Sequence, residues 1–165
     1  MFHVEHSGDD MRRNDREVTD KYEIADFIGK QQIIRVGFAD EGEVYIVPVN
    51  YGLDISDGNF VFYFHGAKAG RKYELAKKSP DVGFEIDGGY QLMTSETACG
   101  YSAHFKSVIG TGRLSLIEDD TEKIHALGRI MAQISGKADW EFSKQMLSET
   151  AVFRLEVRSL TCKAK

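Results

Sequence analysis

Cysteine is scarce. Cys99 and Cys162 are the only two in 165 residues, too few for a disulfide framework or a zinc site, and their number suits a reducing cytoplasm. Long apolar runs are missing as well: no stretch approaches the roughly 18 residues of a membrane span, and the N-terminus has no apolar segment of the secretory kind. A soluble, cytoplasmic protein is the expectation. Positive charge is not in excess either, since 21 Lys and Arg stand against 26 Asp and Glu for a net charge of −5. That excludes a general nucleic-acid footprint and leaves any functional cations to be local. Internal repeats and low-complexity segments are absent. What is present, 42% hydrophobic and 28% charged residues, fits one globular domain able to hold a core.

Met1 to Asp10 is polar and without periodicity, and Met11-Arg12-Arg13 reads as a second possible start. Residues 1–18 are therefore expected to be a loose leader to a single domain over 19–165. Asp20 with Glu23 three residues later is a capping box, and Ile24, Phe27 and Ile28 give the following helix one apolar face, suited to plugging a barrel end, before Gly29 stops it. Ile33 to Ala39 and Val44 to Val49 flank the turn-forming Asp40-Glu41-Gly42-Glu43 and form a hairpin. Pro48 cannot donate to a ladder, so it marks an edge or a bulge where something other than a strand occupies one side. Beyond the Ser56-Asp57-Gly58-Asn59 turn, Phe60 to Phe64 are aromatic or β-branched without interruption, as in a strand buried on both faces. Val82 to Asp87 is a further strand, residues 90–100 a loop, and Tyr101 to Ile117 a long strand kinked at Gly110-Thr111-Gly112. The GTGRLS segment there is no dinucleotide fingerprint, because Leu114, Leu116 and Ile117 continue as strand and no helix opens; a bulge accounts for the glycines. Asp119, Asp120 or Thr121 caps a helix carrying Ile124, Leu127, Ile130, Met131 and Ile134 at helical spacing up to Gly136. Trp140 to Leu147 is a shorter helix and Ala151 to Val157 a last, alternating strand. Six or seven strands, with too little helix between them for parallel crossovers, predict a mainly β, antiparallel barrel with a few peripheral helices.

The centre of the chain changes character after Phe64. His65-Gly66-Ala67 removes bulk, so the backbone there can approach something flat or charged. Lys68, Arg71 and Lys72 follow, and Tyr73, Leu75 and Ala76 begin a short helix that Pro80 ends. Unpaired N–H groups at a helix start, with Arg and Lys beside them, suit a phosphate. On the residues alone the plainer alternatives stay open: a solvated basic face for Arg71 and Lys72, a structural role for His65, and a twisted edge for Pro48 to Tyr51. Cys99 reads as a buried thiol. Trp140 reads as a core or dimer-interface aromatic.

Three patterns in this order, VPVNYG at Val47 to Gly52, FYFHGAKAGRK at Phe62 to Lys72, and CGYS followed by SVIGTG between Cys99 and Gly112, resemble the flavin-binding split β-barrel of the pyridoxamine-phosphate-oxidase superfamily. The likeness runs from Met11 onward and is strongest to the nitroimidazole-resistance branch, to which the His-Gly-Ala motif points. It implies a homodimer holding FMN, or else FAD, at the subunit interface, with an unnamed electron donor and a small electrophile such as a 5-nitroimidazole as substrate. By the same resemblance Pro48, Val49, Asn50 and Tyr51 lie along the flavin ring, Tyr63, Phe64, His65, Gly66 and Ala67 beside it, and Ser107 at its edge. Arg71 and Lys72 hold the phosphate, and no metal is implied; His65, against the ring, is the candidate catalytic residue, able to hydrogen-bond a nitro or carbonyl group of a substrate or to donate a proton to a reduced one. The chain departs from the vitamin-synthesis enzymes, whose substrate-phosphate and C-terminal Arg-rich motifs are not recognisable after Ala151, so pyridoxamine phosphate is a poor substrate. Two other readings compete: a flavin- or haem-binding store or sensor without turnover, in which His65 or His104 would ligate a haem, and a plain interaction barrel with no cofactor.

Overall fold

Asp20 does begin the first helix, in the computed structural model, which describes residues 13–165; the leader expected over Met1 to Asp10 lies outside the described residues. The Asp20 carboxylate accepts from the backbone N–H of Tyr22 at 2.8 Å and of Glu23 at 3.4 Å, starting α1 (Lys21–Lys30). Glu23 does not fold back to complete the box; its carboxylate instead takes the Lys106 ammonium at 2.6 Å. Ile24, Phe27 and Ile28 are buried, and the helix passes Gly29 to end one residue later.

The strands are β1 (Glu17–Val18), β2 (Ile33–Asp40), β3 (Glu43–Asn50), β4 (Gly52–Ser56), β5 (Asn59–Ala67), β6 (Asp81–Met93), β7 (Ser102–Ile117) and β8 (Thr150–Ala164). Three further helices, α2 (Arg71–Ala76), α3 (Asp120–Ser135) and α4 (Lys144–Glu149), complete the chain. The strands form one antiparallel sheet in the order β3-β2-β6-β7-β8-β5-β4, with β1 beside β8. This is the expected split barrel, with eight strands rather than six or seven. The sheet does not close: β3 and β4 are its two ends, and only Tyr51 joins them. That residue is fully buried and its hydroxyl donates to the Ile28 carbonyl at 2.6 Å, fixing the corner to α1.

Two cores explain why Phe60 to Phe64 are buried on both faces. Phe60, Phe62 and Phe64 point into the barrel with Ile34, Val36, Phe38, Phe84, Phe153 and Leu155. Val61 and Tyr63 point outward, where Ala126, Leu127 and Ile130 of α3 and Leu147 of α4 cover them together with Ile117 and Val152. The register shift between Thr111 and Gly112 is the expected bulge. Glycine is required on either side of it, because a Cβ on Gly110 would lie 2.4 Å from the Ser159 carbonyl and one on Gly112 2.3 Å from that of Glu156.

Three local expectations are corrected. Strand β6 does not stop at the Gly88-Gly89 break but resumes after a bulge and pairs Gln91, Leu92 and Met93 with His104, Ala103 and Ser102. The result is a two-stranded arm beyond the barrel, and its sequence lacks a period because neither face covers a core. Strand β8 runs to Ala164, well past Val157, and pairs there with β7. Trp140 precedes the last helix, which starts only at Lys144, where the Ser143 hydroxyl accepts from the Met146 N–H at 3.1 Å.

Candidate functional site

Because Tyr51 joins the two end strands, the edges of the sheet face one another across a split, and the two edges are treated differently. On β4, the Arg129 guanidinium donates twice to the Leu53 carbonyl, at 2.8 and 2.6 Å, and the Gln133 side-chain oxygen accepts from the Leu53 N–H at 3.0 Å. Helix α3 thereby covers that edge. Its approach requires Gly52, where a Cβ would lie 2.4 Å from the Ile130 nitrogen. Strand β3 pairs only with β2, and its other edge keeps a row of backbone groups with no strand partner among the described residues. Strand β5 pairs with β4 only from Asn59 to Tyr63, so Phe64 to Ala67 present the same kind of open edge. Backbone donors and acceptors in this position require water or a ligand.

Helix α2 straddles one end of the split. The chain leaves β5 at Ala67 and turns at Gly70, whose φ of +92° favours glycine, so that two consecutive residues reach opposite lips. Arg71 reaches β3: its Nε donates to Asp40 at 2.7 Å, its Nη2 to Glu43 at 3.0 Å, and its guanidinium lies 4.7 Å from the Tyr45 ring centroid. Lys72 reaches β5, with its ammonium 5.3 Å from the Phe153 ring centroid and 5.8 Å from that of Phe64. Gly66 leaves the room for it, since a Cβ there would lie 2.9 Å from the Lys72 nitrogen. Among the described residues no carboxylate pairs with Lys72, and burial lowers its pKa. With only six residues in α2, its dipole is small, and the two side chains carry most of the positive charge.

His65 follows Val61 and Tyr63 on the outward face of β5, opposite Val152, but stands past the cover of α3 and α4 and reaches solvent. Partial desolvation, and then the nearby charge of Lys72, hold its pKa below the ordinary histidine value. A neutral ring with one N–H to donate is the result near pH 7.

The other anticipated residues divide by position. Pro48 is exposed opposite Arg35, Val49 is half-buried against the core, and the Asn50 amide donates to the Gln32 carbonyl at 3.0 Å. Tyr51 and Phe64 are fully buried, the latter stacked on Phe153 at 4.9 Å, and Tyr63 is buried with its ring edge-on to His125. These three shape walls. Ser107 lies between Asp87 and Lys163 on the outer face, with β2 and β6 separating it from β3. The structure thus gathers His65, Gly66, Ala67, Arg71 and Lys72 at one end of the split, lines Pro48, Val49 and Asn50 along a lip, and sets Ser107 apart.

Cys99 is exposed rather than buried, on the loop of the arm, whereas Cys162 is the buried thiol. Trp140 is 42% exposed and its indole N–H donates to the Lys137 carbonyl, so it is not a core residue. Sequence reading missed Asp40, Glu43 and Tyr45, whose only local signal was a turn. It also missed the His125–Asp54 pair at 2.6 Å, which joins residues 71 apart and leaves no local signature. Among the described residues no three His, Cys, Asp or Glu side chains are grouped to hold a metal, and no helix is long and apolar enough to cross a membrane.

The family model described as pyridoxamine 5'-phosphate oxidase matches residues 20–164 of the chain. Among solved structures, the chain is similar to a candidate 5-nitroimidazole antibiotic resistance protein from Bacteroides thetaiotaomicron, at 29% identity and a TM-score of 0.77 over 90% of this chain and 86% of that one. The flavocytochrome Anf3 of Azotobacter vinelandii shares the fold at 20% identity and a TM-score of 0.76, over 93% of this chain and 71% of that one. So does an FAD- and haem-binding protein of Mycobacterium smegmatis, at 13% identity and 0.75, over 91% and 73%. No curated protein sequence matches the chain.

Proposed function

The chain belongs to the pyridoxamine 5'-phosphate oxidase family, and from that premise we propose that it is a flavin-dependent reductase, holding FMN in the split between β3 and β5 and reducing a small electrophile of the 5-nitroimidazole type. One observation carries the reading: a half-buried lysine with no carboxylate partner among the described residues, Lys72, stands at the end of a slot whose two lips are open backbone edges. A flavin matches that donor set part for part. Its phosphate suits the ammonium, and the pyrimidine edge of its ring suits N–H and C=O groups in a row. FMN is favoured over FAD because a terminal phosphate is a dianion, which the α2 cations suit best. The likeness to the Bacteroides protein supports the choice of electrophile.

Bound flavin supplies hydride chemistry, and the residues of this chain do the rest. Lys72, with Arg71 beside it, holds the phosphate. The β3 edge from Val47 to Asn50 orients the ring, with Pro48 leaving one position without a donor. Gly66 and Ala67 keep the β5 lip thin. His65, neutral and accessible, donates its ring N–H to an oxygen of the electrophile. As a neutral ring it can hydrogen-bond that oxygen, and it would transfer a proton only from its imidazolium form, which the lowered pKa makes the stronger acid.

The protein is further proposed to work as a homodimer. The outer face of β3, β2, β6 and β7 exposes Val44, Ile46 and Ile109 around a groove of about 380 Å³ floored by Gly37 and Gly83. Tyr90, Leu92, Met93 and Tyr101 of the arm are exposed as well. Apolar surface gathered in this way suits a two-fold partner. Ser107, on that outer face, would then serve the partner's slot.

Anaerobic titration of the FMN-loaded protein with NADH and NADPH, followed by a 5-nitroimidazole, tests the reading. The flavin bands are expected to bleach with one of the nicotinamides and to return on adding the nitro compound, with amine or hydroxylamine as product. Bands that never return with any nitro compound would replace the reductase by a flavin store.

A further inference from the structure

The two cations of α2 are adjacent in sequence, yet their surroundings differ. Lys72 lies against the Phe64 and Phe153 rings and beside Gly66, near His65, with no carboxylate partner among the described residues. Arg71 already has two carboxylates: Asp40 at 2.7 Å on Nε and Glu43 at 3.0 Å on Nη2. These acids flank the β2–β3 turn, where Glu41 and Gly42 both have positive φ, and they lie directly opposite one another in the ladder. Like charges in that position repel, and the guanidinium between them relieves the repulsion. Counted together, one arginine and two carboxylates leave this corner with a net negative charge.

An incoming phosphate therefore meets a competitor. Of the Arg71 donors, Nε and one Nη2 hydrogen are taken; three N–H groups remain, but a phosphate can take the side-on fork of Nε and Nη2 only by displacing a carboxylate. We propose that Asp40 and Glu43 compete with the cofactor's phosphate for Arg71, so that this acid pair, and not the cations alone, sets how tightly the phosphate end is held. The inference rests on the phosphate site argued above. It makes Lys72 the dedicated phosphate cation and Arg71 a shared one. It also makes Asp40 and Glu43 determinants of affinity without contact to the ligand.

A double-mutant cycle tests this, read by quenching of flavin fluorescence with FMN and riboflavin as the two probes. The wild type comes first: a preference for FMN over riboflavin upholds the phosphate site, and equal affinity removes both the site and this inference. Given that preference, Asp40→Asn with Glu43→Gln should tighten FMN binding about three- to tenfold, the scale set by two solvent-exposed ion pairs, and leave riboflavin unchanged. In an Arg71→Met background the same two substitutions should change FMN affinity by less than about twofold. Glu41→Gln, which removes a charge from the same turn without touching Arg71, should have an equally small effect. Tightening that survives Arg71→Met, or that Glu41→Gln reproduces, would reduce the effect to general electrostatics and overturn the proposal. So would unchanged or weaker FMN binding by the Asp40 and Glu43 variant.

Discussion

Replacing Lys72 by methionine separates the phosphate end of the slot from everything else in it. The substitution keeps the length and apolar character of the stem, so contact with the Phe64 and Phe153 rings survives while the charge does not. Lys72 is desolvated in the absence of any ligand, as its lowered pKa records, and removing the charge relieves that cost; the variant should fold at least as stably as the parent. Binding should move the other way. A charge-assisted contact to a phosphate contributes about 1.5–3 kcal/mol, so FMN affinity should fall about 10- to 150-fold. Riboflavin, which lacks the phosphate, should bind the variant and the parent alike. Arg71→Met should cost FMN less, because Asp40 and Glu43 already hold that guanidinium. Fluorescence titration of both flavins against both variants measures all four affinities. A Lys72→Met protein that binds FMN as the parent does, or that loses riboflavin in parallel with FMN, would refute the assignment of Lys72 to the phosphate.

Four further expectations follow from other parts of the structure. His65→Gln should keep its FMN and lose at least about a hundredfold in nitroimidazole reduction. Because the folded-state pKa of His65 is lowered, its contribution to stability is present above the unfolded value near about 6.5 and is lost as pH falls below it toward the folded pKa; melting curves from pH 7.5 to 5 should show that loss in the parent and less of it in the variant. Gly52→Ala should destabilise by about 2–3 kcal/mol in denaturant unfolding, since its Cβ would meet the Ile130 nitrogen and Arg129 carbonyl carbon at 2.4 and 2.5 Å, backbone atoms that cannot swing aside. Ile46→Glu, on the exposed outer face, should convert a dimer into a folded monomer by light scattering, and an unchanged mass would move the interface elsewhere.

Much of the barrel was legible because its signals are local. Turn residues with positive φ, an aspartate cap, glycines at a bulge and an unbroken aromatic strand each act within a few residues of themselves. The edge position of β3 could also be read, from Pro48 alone. What escaped was what depends on distant partners. The arm over residues 91–104 has no core side, so no periodicity marks its strands. Asp40 and Glu43 look like ordinary turn acids until the fold brings Arg71 between them. Arg129 and Gln133 carry no sign in the sequence that they would cover the β4 edge. Cys99, expected to be a buried thiol, sits exposed on the arm, where the fold offers nothing to bury it. For the site, the chemistry of Arg71 and Lys72 could be anticipated. Their unequal surroundings could not, since they depend on which lip of the split each side chain reaches.

A crystal structure of the protein grown with FMN tests the central claim most directly. The account predicts flavin density in the split, with the phosphate at Lys72, the ring edge along Val47 to Asn50 of β3, and His65 facing the ring. Density for the flavin anywhere else on the molecule, or a phosphate remote from Lys72, would contradict it.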